Sequence, residues 1–496
     1  MAAHQVDLLV VGGGIHGAGI ARDAAGRGLR VALLEQGDLA GATSSASSKL
    51  AHGGLRYLEQ FDLRLVREAL QERETLMRIA PHLVQPLPFF LPSSGQVRST
   101  WQVRAGLLLY DLLAGRSTLP RSHRLELAGI EGEILQPRYR HGLGYWDGWA
   151  DDARLVVANA VDAARRGTVV LTRTRCTRIA PSEDGWLAEL LARDGSPRAL
   201  RARAVVNATG PWVERFLREH TPIRSAGRAR LVKGSHIAIA RRLPGARALL
   251  LQNDDGRVVF VIPFEHAFAL IGTTDVPVSD PGDATVSSAE VEYLCRAASR
   301  YLAQPVKPAD VVWSMSGIRA LYDDGSDDPS KVSRDYVLQL DRAHNGAPML
   351  SVFGGKLTTY RRLSEEAVAR LSRAFASLGP AWTAQAALPG GDLGGLSLAR
   401  WCEHLEKRYP GLPKEWVSAI ARRHGAGAEA VLGDARRAQD LGTHFGASLT
   451  QRELDYLAAH EWAIEADDVL WRRTKTGLHM TEAQHEMVRQ ALAQRR

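Results

Sequence analysis

Cysteine is scarce in this chain: Cys176, Cys295 and Cys402 stand far apart and never in a C-x-x-C spacing. That excludes a disulfide framework and a cysteine-rich metal site, and it suits a reducing compartment. No metal is expected. No run of about eighteen apolar residues occurs, so no membrane-spanning helix is expected. No basic stretch followed by an apolar one precedes the first candidate strand at Val6–Val11, so no cleaved leader is expected. Low-complexity tracts are absent, as is any internal repeat of roughly twenty to fifty residues. What remains is an ordinary globular mixture over 496 residues, long enough for more than one domain. A cytoplasmic protein, or one lying on a membrane surface, is expected.

Charge is unbalanced. Sixty-three lysines and arginines against 55 aspartates and glutamates leave a formal charge of +8. Excess positive charge favours anionic partners, whether nucleic acid, acidic lipid or a phosphorylated substrate. Composition does not choose among these. The basic residues are scattered, with no helix-turn-helix, finger or RNP-like motif, so nucleic acid is not the expected partner.

The N-terminus is more informative. Asp7–Val11 is an apolar β-forming run that leads into Gly12-Gly13-Gly14-Ile15-His16-Gly17, then into a helical stretch, and a second β-run over Leu29–Leu34 ends in Glu35. Strand, glycine turn, helix, strand and acid make up the complete context of a dinucleotide-binding fingerprint. Gly12 permits the tight turn, Gly14 lets backbone approach a pyrophosphate, and Gly17 lets helix and strand pack closely. The helix N-terminus offers amides and a partial positive charge to that pyrophosphate. Glu35 is spaced to accept ribose hydroxyls, and its charge disfavours the 2′-phosphate of NADP. FAD and NAD share this fingerprint.

Later segments separate the two. Gly41–Leu50 is small and hydroxyl-rich, and His52-Gly53-Gly54-Leu55-Arg56-Tyr57 follows it. The bland reading is a flexible linker; the alternative is a segment whose backbone approaches a flat ring system. Ala204–Asn207 followed by Ala208-Thr209-Gly210 reads as a buried strand ending in a small-residue turn. Phe353–Thr359 reads as a glycine turn opening a helix over Thr359–Phe375, whose first amides can stabilise negative charge on a reduced flavin. Each is also readable as an ordinary turn. Three separated glycine turns directed at one cofactor fit the large FAD molecule better than NAD.

These segments together resemble the aerobic, FAD-dependent glycerol-3-phosphate dehydrogenases. The likeness continues through Val206–Val213, Lys233–Ile237, Val261–Phe264, Ile271–Asp275, Ser316–Arg319, Ser351–Arg361 and Ala466–Lys475, so it runs nearly end to end. It implies an α/β fold, α+β overall: a Rossmann-like FAD-binding domain, an antiparallel-sheet substrate domain and a C-terminal α-helical domain. FAD contacts are then expected from Gly12, Gly14, Ile15, His16, Gly17 and Glu35, and from Thr43, Ser44, Ser45, Ser48, Lys49, Leu50, His52 and Gly53. Further contacts are expected from Ala208 and Gly210, and from Gly354, Gly355, Lys356, Leu357 and Thr358. His16 is a departure, because members of the family often carry Asn there. Either side chain is polar and is expected to face phosphate or solvent.

The implied reaction oxidises sn-glycerol 3-phosphate to dihydroxyacetone phosphate, with hydride passing from C2 to flavin N5. It needs a grip on a phosphate dianion and a base for the C2 hydroxyl. Arg56, Arg319 and Lys356, each flanked by glycine or small residues, are the candidate cations, and Tyr57, Thr273 and Thr274 can add hydroxyl contacts. Among sixteen histidines, His236 in Lys-Gly-Ser-His-Ile is the first choice of base. His52 and Lys356 compete with it. The family's electron acceptor is a quinone, ubiquinone or menaquinone, which implies a peripheral homodimer at the cytoplasmic face of the inner membrane or in the cytoplasm. A flavin oxidase, or a relative acting on an amino or 2-hydroxy acid, is the rival reading.

The expected FAD domain is discontinuous (1–80, 150–225 and 330–385), with 81–149 and 226–330 forming the substrate domain. Arg257–Pro263 and Ala267–Gly272 read as a hairpin. Residues 390–496 turn helical, with helices expected over Leu398–Arg408, Glu415–Arg423, Gln451–Glu465 and Thr481–Ala493. That domain is expected to be structural or regulatory. Two basic amphipathic stretches, Val97–Arg116 and Tyr360–Phe375, are candidates for membrane contact.

Overall fold

The computed structural model describes residues 4–60, 62–93, 100–224, 227–323 and 335–495. The first strand runs His4–Val11 and lies inside a sheet in the order Val337–Arg342, Pro348–Phe353, Pro197–Asn207, His4–Val11, Val31–Leu34, Val169–Leu171. From Pro348–Phe353 to Val169–Leu171 the pairings are parallel. Such strands are buried on both faces, which is why Val31–Leu34 reads as an uninterrupted apolar run. Helices Ile15–Gly26, Asp152–Arg165 and Tyr360–Arg370 pack over one face. Trp186, Phe216 and Met349 fill the other. The mononucleotide fold is thus assembled from distant stretches of chain.

The second sheet carries the hairpin Val258–Phe264/Phe268–Gly272 and the long strands Ala229–Ile239 and Val311–Tyr322. Its pairings are antiparallel apart from Ala248 and Leu249, which run parallel to Phe89 and Phe90. Phe89, Phe90 and Phe264 are almost fully buried there, each contributing about 2 kcal/mol of apolar burial.

The C-terminal part is helical. Leu398–Arg408 starts on Ser397, whose side chain accepts from the Arg400 amide, and Glu482–Ala493 starts on a Thr481–Gln484 capping box. The helix expected over Glu415–Arg423 runs Lys414–His424. The one expected over Gln451–Glu465 stops at His460, because Trp462 turns to φ +56°. The helix expected over Thr359–Phe375 stops at Arg370 and tightens into a short turn at Ser372–Ala374.

That last helix also corrects the membrane expectation for Tyr360–Phe375. Its apolar side (Tyr360, Leu363, Ala367, Val368) is buried against the first helix, and Arg361 bonds Glu72 at 2.6 and 2.8 Å. Its apolar side is therefore not available to lipid. In Val97–Arg116, residues 97–99 lie outside the described residues. The helix Thr100–Ala114 buries Leu107 and Tyr110 and exposes Trp101 (71%), Leu108 (55%) and Leu112 (75%).

Candidate active site

At the end of the first strand the fingerprint glycines act through space and backbone angle. Gly12 sits at φ +113°, and a β-carbon on it would lie 2.4 Å from the Ala208 carbonyl oxygen. A β-carbon on Gly17 would lie 1.8 Å from the Gly12 oxygen, so only glycine allows helix and turn to meet. Gly14 caps the helix Ile15–Gly26 with no side chain, and its first turn carries no acid. Nothing there competes for an anion. Glu35 accepts from the Gly13 and Gly37 amides, both at 2.7 Å. Burial raises its pKa against those amides.

The hydroxyl-rich stretch bridges the two sheets. Ser44 Oγ accepts from the Ile15 amide (3.0 Å), Thr43 Oγ1 donates to the Ile318 carbonyl (2.7 Å), and Ser48 Oγ lies 2.9 Å from His236 Nε2. His52 and Thr358 bring the third glycine turn to the same place: the His52 amide donates to Thr358 Oγ1 at 3.1 Å.

His236 and Gly234 lie on one face of Ala229–Ile239, opposite Met315 and Gly317 of the neighbouring strand. On that neighbour Arg319 reaches back across Gly234, where a β-carbon would come within 2.3 Å of its Nη2. Its guanidinium pairs with Asp275 and donates to Thr273 Oγ1 at 3.3 Å. Gly272 leaves room for the His236 ring, since a β-carbon there would fall 2.0 Å from Cδ2. Burial, then the positive fields of Arg319 and Lys49, push the His236 pKa down to about 3. The ring is therefore neutral, and its Nδ1 is buried without a hydrogen-bond partner. Lys356 stands 3.6 Å from the centre of the Tyr57 ring, a cation–π contact.

Some expected contacts are committed elsewhere. Lys49 commits its ammonium to Asp152 (2.7 and 2.8 Å) and the Ser45 carbonyl (2.5 Å), so only its backbone and stem are left for a cofactor. Thr274 Oγ1 donates to Glu290 (2.8 Å) and accepts from the Ser235 amide (2.9 Å), so it braces the site from behind. Ser45 Oγ turns back to the Ala42 carbonyl, and Leu50 pairs with Trp149 in the second sheet. His16 is half-buried with its ring packed on Gly355, and burial lowers its pKa to about 4. Arg56 lies in the short helix Leu55–Gln60, and its side chain is outside the described residues.

Sequence reasoning missed Asp275 as the partner of Arg319, Tyr110, whose hydroxyl accepts from the Gly53 amide (2.8 Å), and Glu290. Glu290 had a signal, the capping box Ser287-x-x-Glu290. Burial raises its pKa, but the Ser287 amide and the hydroxyls of Ser235, Thr274 and Ser287 outweigh that and hold it down to about 2.

The residues present fit an FAD molecule. A β-carbon built on Gly210 meets nothing within 4 Å, and the only atom near one on Gly14 is Ser44 Oγ, so the cradle is open beside both glycines. His16 Nε2, His236 Nδ1 and Thr359 Oγ1 are buried polar atoms without partners around it.

The chain resembles known proteins over nearly its whole length. Residues 7–361 match the family model described as FAD dependent oxidoreductase, and residues 381–494 match the C-terminal domain of alpha-glycerophosphate oxidase. A glycerol-3-phosphate dehydrogenase of Pseudomonas aeruginosa is 48% identical over 491 residues, covering 99% of this chain and 95% of the relative. A D-erythritol 1-phosphate dehydrogenase of Brucella abortus is 47% identical over 481 residues, covering 96% of each. Among solved structures, the glycerol-3-phosphate dehydrogenase of Bacillus halodurans complexed with FAD superposes with a TM-score of 0.76 at 25% identity, over 99% of this chain and 94% of that one.

Proposed function

This chain belongs to the FAD-dependent glycerol-3-phosphate dehydrogenases, and we propose that it oxidises the C2 hydroxyl of sn-glycerol 3-phosphate to the ketone of dihydroxyacetone phosphate and hands the electrons to a membrane quinone. FAD, when bound, supplies the two-electron acceptor. In this reading the first sheet and its helices hold FAD, and the second sheet holds substrate. The observation that carries the reading is the approach of Arg319 and His236 from adjacent strands, with Gly234 and Thr273 between them.

Arg319 and Lys356, with Arg56 as the third cation, grip the phosphate; a guanidinium offers the planar fork that matches it. The hydroxyls of Tyr57 and Thr273 orient the glycerol chain. His236 takes the C2 hydroxyl proton. A ring kept neutral by burial and by neighbouring positive charge has its lone pair ready, and the imidazolium formed is short-lived because the same field expels the proton. Ser48 fixes the ring through Nε2. His52 and Lys356 remain the competing bases.

Membrane contact rests on the helix Thr100–Ala114. Trp101, Leu108 and Leu112 are exposed along it, with Arg104 and Arg116 nearby, an amphipathic pattern that suits an acidic headgroup layer. Co-sedimentation with anionic vesicles tests this: Trp101→Ser with Leu112→Ser is expected to abolish binding, and undiminished binding would move the contact elsewhere.

The reaction is tested by anaerobic bleaching of the bound flavin with sn-glycerol 3-phosphate, D-erythritol 1-phosphate and glycerol in parallel. Bleaching by glycerol 3-phosphate at the lowest concentration, and none by glycerol, is the expected result. Preference for the four-carbon ester would reassign the substrate while leaving the phosphate grip intact. Peroxide formation matching substrate use, with no gain from added quinone, would make the protein an oxidase.

A further inference from the structure

The segment Asp468–Lys475 takes no part in the chemistry above, yet it makes a dense set of buried ionic contacts to the stretch assigned to FAD. Arg473, fully buried, forks onto Asp38 through Nη1 to Oδ2 (2.5 Å) and Nη2 to Oδ1 (2.7 Å). Its Nη2 also donates to the Glu461 carbonyl at 2.6 Å. Arg472 Nε donates to the same Asp38 at 2.5 Å and its Nη2 to Asp468 at 2.5 Å. Two consecutive arginines reach one carboxylate because Asp468–Arg473 winds as a π-helix, closed by the Thr474 amide on the Val469 carbonyl (3.0 Å). Lys475, at φ +57°, then turns its ammonium onto Asp151 at 2.5 Å.

Both carboxylates sit directly behind the cofactor stretch. Asp38 lies between Glu35 and Ala40; Glu35 holds the Gly13 and Gly37 amides, and the Ala40 amide donates to the Gly13 carbonyl at 3.0 Å. Next to Asp151, Asp152 accepts from Lys49 Nζ and from the Ser47 amide and hydroxyl (3.1 and 2.7 Å). The two grips therefore fall at either end of 38–49, while Ser44 in between bonds the first amide of the fingerprint helix and Ser48 bonds His236.

A buried ion pair adds little net stability compared with apolar packing of the same volume, but it fixes geometry, because any displacement leaves a bare charge in a low dielectric. Four such pairs at the back of one stretch are poorly explained as glue. We infer that Arg473 and Lys475 of the C-terminal domain are positioning residues for FAD, clamping residues 38–49 in the conformation that receives the cofactor. This rests on the assignment of that stretch to FAD.

The experiment titrates apoprotein with FAD, following flavin fluorescence, alongside thermal unfolding of the apoprotein. Arg473→Met keeps the side-chain volume and leaves Asp38 paired with Arg472, and Lys475→Met is its counterpart. Each is expected to weaken FAD at least tenfold. Arg423→Met breaks a buried pair with Glu453 inside the C-terminal domain and is expected to lower apoprotein Tm with less than a twofold change in FAD affinity. Arg472→Gln, which keeps the Arg473 fork, is the variant to read if Arg473→Met does not fold, with at least a threefold weakening expected. FAD affinity within twofold of wild type in the clamp variants, whatever their Tm, overturns the inference and leaves a staple between domains. Ser44→Ala separates the two levels: if it too leaves FAD affinity unchanged, the assignment of the stretch has failed, and if it alone weakens FAD, only the clamp has failed.

Discussion

Ser48 Oγ lies 2.9 Å from His236 Nε2, tying the stretch that follows the nucleotide fingerprint to the histidine proposed as the base. One hydrogen bond thus couples the two sheets where hydride would leave and a proton would be taken. The other ring nitrogen is buried and unpartnered, which on the proposed mechanism leaves it for the substrate hydroxyl.

His236→Gln is expected to slow flavin reduction by about 10²- to 10⁴-fold with FAD still bound, the range for loss of a general base. Ser48→Ala, which loosens the ring without removing it, is expected to cost about tenfold, near the value of one neutral hydrogen bond. Anaerobic stopped-flow bleaching measures both. If His236→Gln reduces flavin at the wild-type rate, His52 or Lys356 is the base.

Arg319→Ala is expected to lower kcat/KM for sn-glycerol 3-phosphate by about 10- to 100-fold, as for loss of one charge-assisted hydrogen bond. Lys356→Ala behaves alike. Turnover of unphosphorylated glycerol, slow in the wild type, should hardly change. Equal losses on both substrates would mean that these cations act on the reacting centre and not on the phosphate.

Gly272→Ala tests space alone, because the added methyl would fall 2.0 Å from His236 Cδ2 and the ring must swing away. Activity should fall at least as far as in Ser48→Ala while FAD content is unchanged and unfolding free energy stays within about 1 kcal/mol of wild type, since the strand itself tolerates alanine. An active Gly272→Ala enzyme would show that the ring orientation seen here is not the working one.

Acid should unfold the protein earlier than its carboxylates alone would dictate. His236 and His82 are pushed down to about 3 and His16 to about 4, each chiefly by burial. The unfolded chain binds protons on these rings from about pH 6.5 downwards while the folded chain does not, so stability is lost as pH falls through that window. Glu265 works in the opposite direction: burial raises it to about 7, and its share of stability is lost as pH rises from about 4.5 to 7. A Tm-against-pH profile should therefore peak between roughly pH 6 and 7, and His82→Leu should flatten the acid side. An unchanged acid limb in that variant would contradict the buried, neutral assignment.

The fingerprint was legible because strand, turn, helix and acid are contiguous and each glycine has a local steric reason. The hairpin Val258–Phe264/Phe268–Gly272 was legible from its alternation and its break at Glu265-His266. Lys49 was expected at the cofactor from the resemblance, and nothing local announces that its ammonium is buried on Asp152. Thr274 likewise looked equivalent to Thr273, and only the strand pairing sends one hydroxyl toward Arg319 and the other toward Glu290. The apolar stripe of Tyr360–Arg370 was visible, but a stripe does not state whether a helix or a bilayer covers it. Contacts between residues hundreds of positions apart leave no spacing to read.

The parallel register of His4–Val11 with Pro197–Asn207, and of that strand with Pro348–Phe353, orders events on the ribosome. The opening strand and its glycine turn are made first and meet one neighbour, Val31–Leu34, at once, but the other, Pro197–Asn207, follows only much further along the chain and Pro348–Phe353 later still, and loop closure over such separations is slow. Until then the apolar faces of Leu8 and Val10 lack their final cover. Nascent chains of this protein therefore pass through an interval in which one edge of the opening strand is uncovered, and on the proposed role of the turn at Gly354–Thr358 cofactor loading would follow synthesis of the strand at Pro348–Phe353.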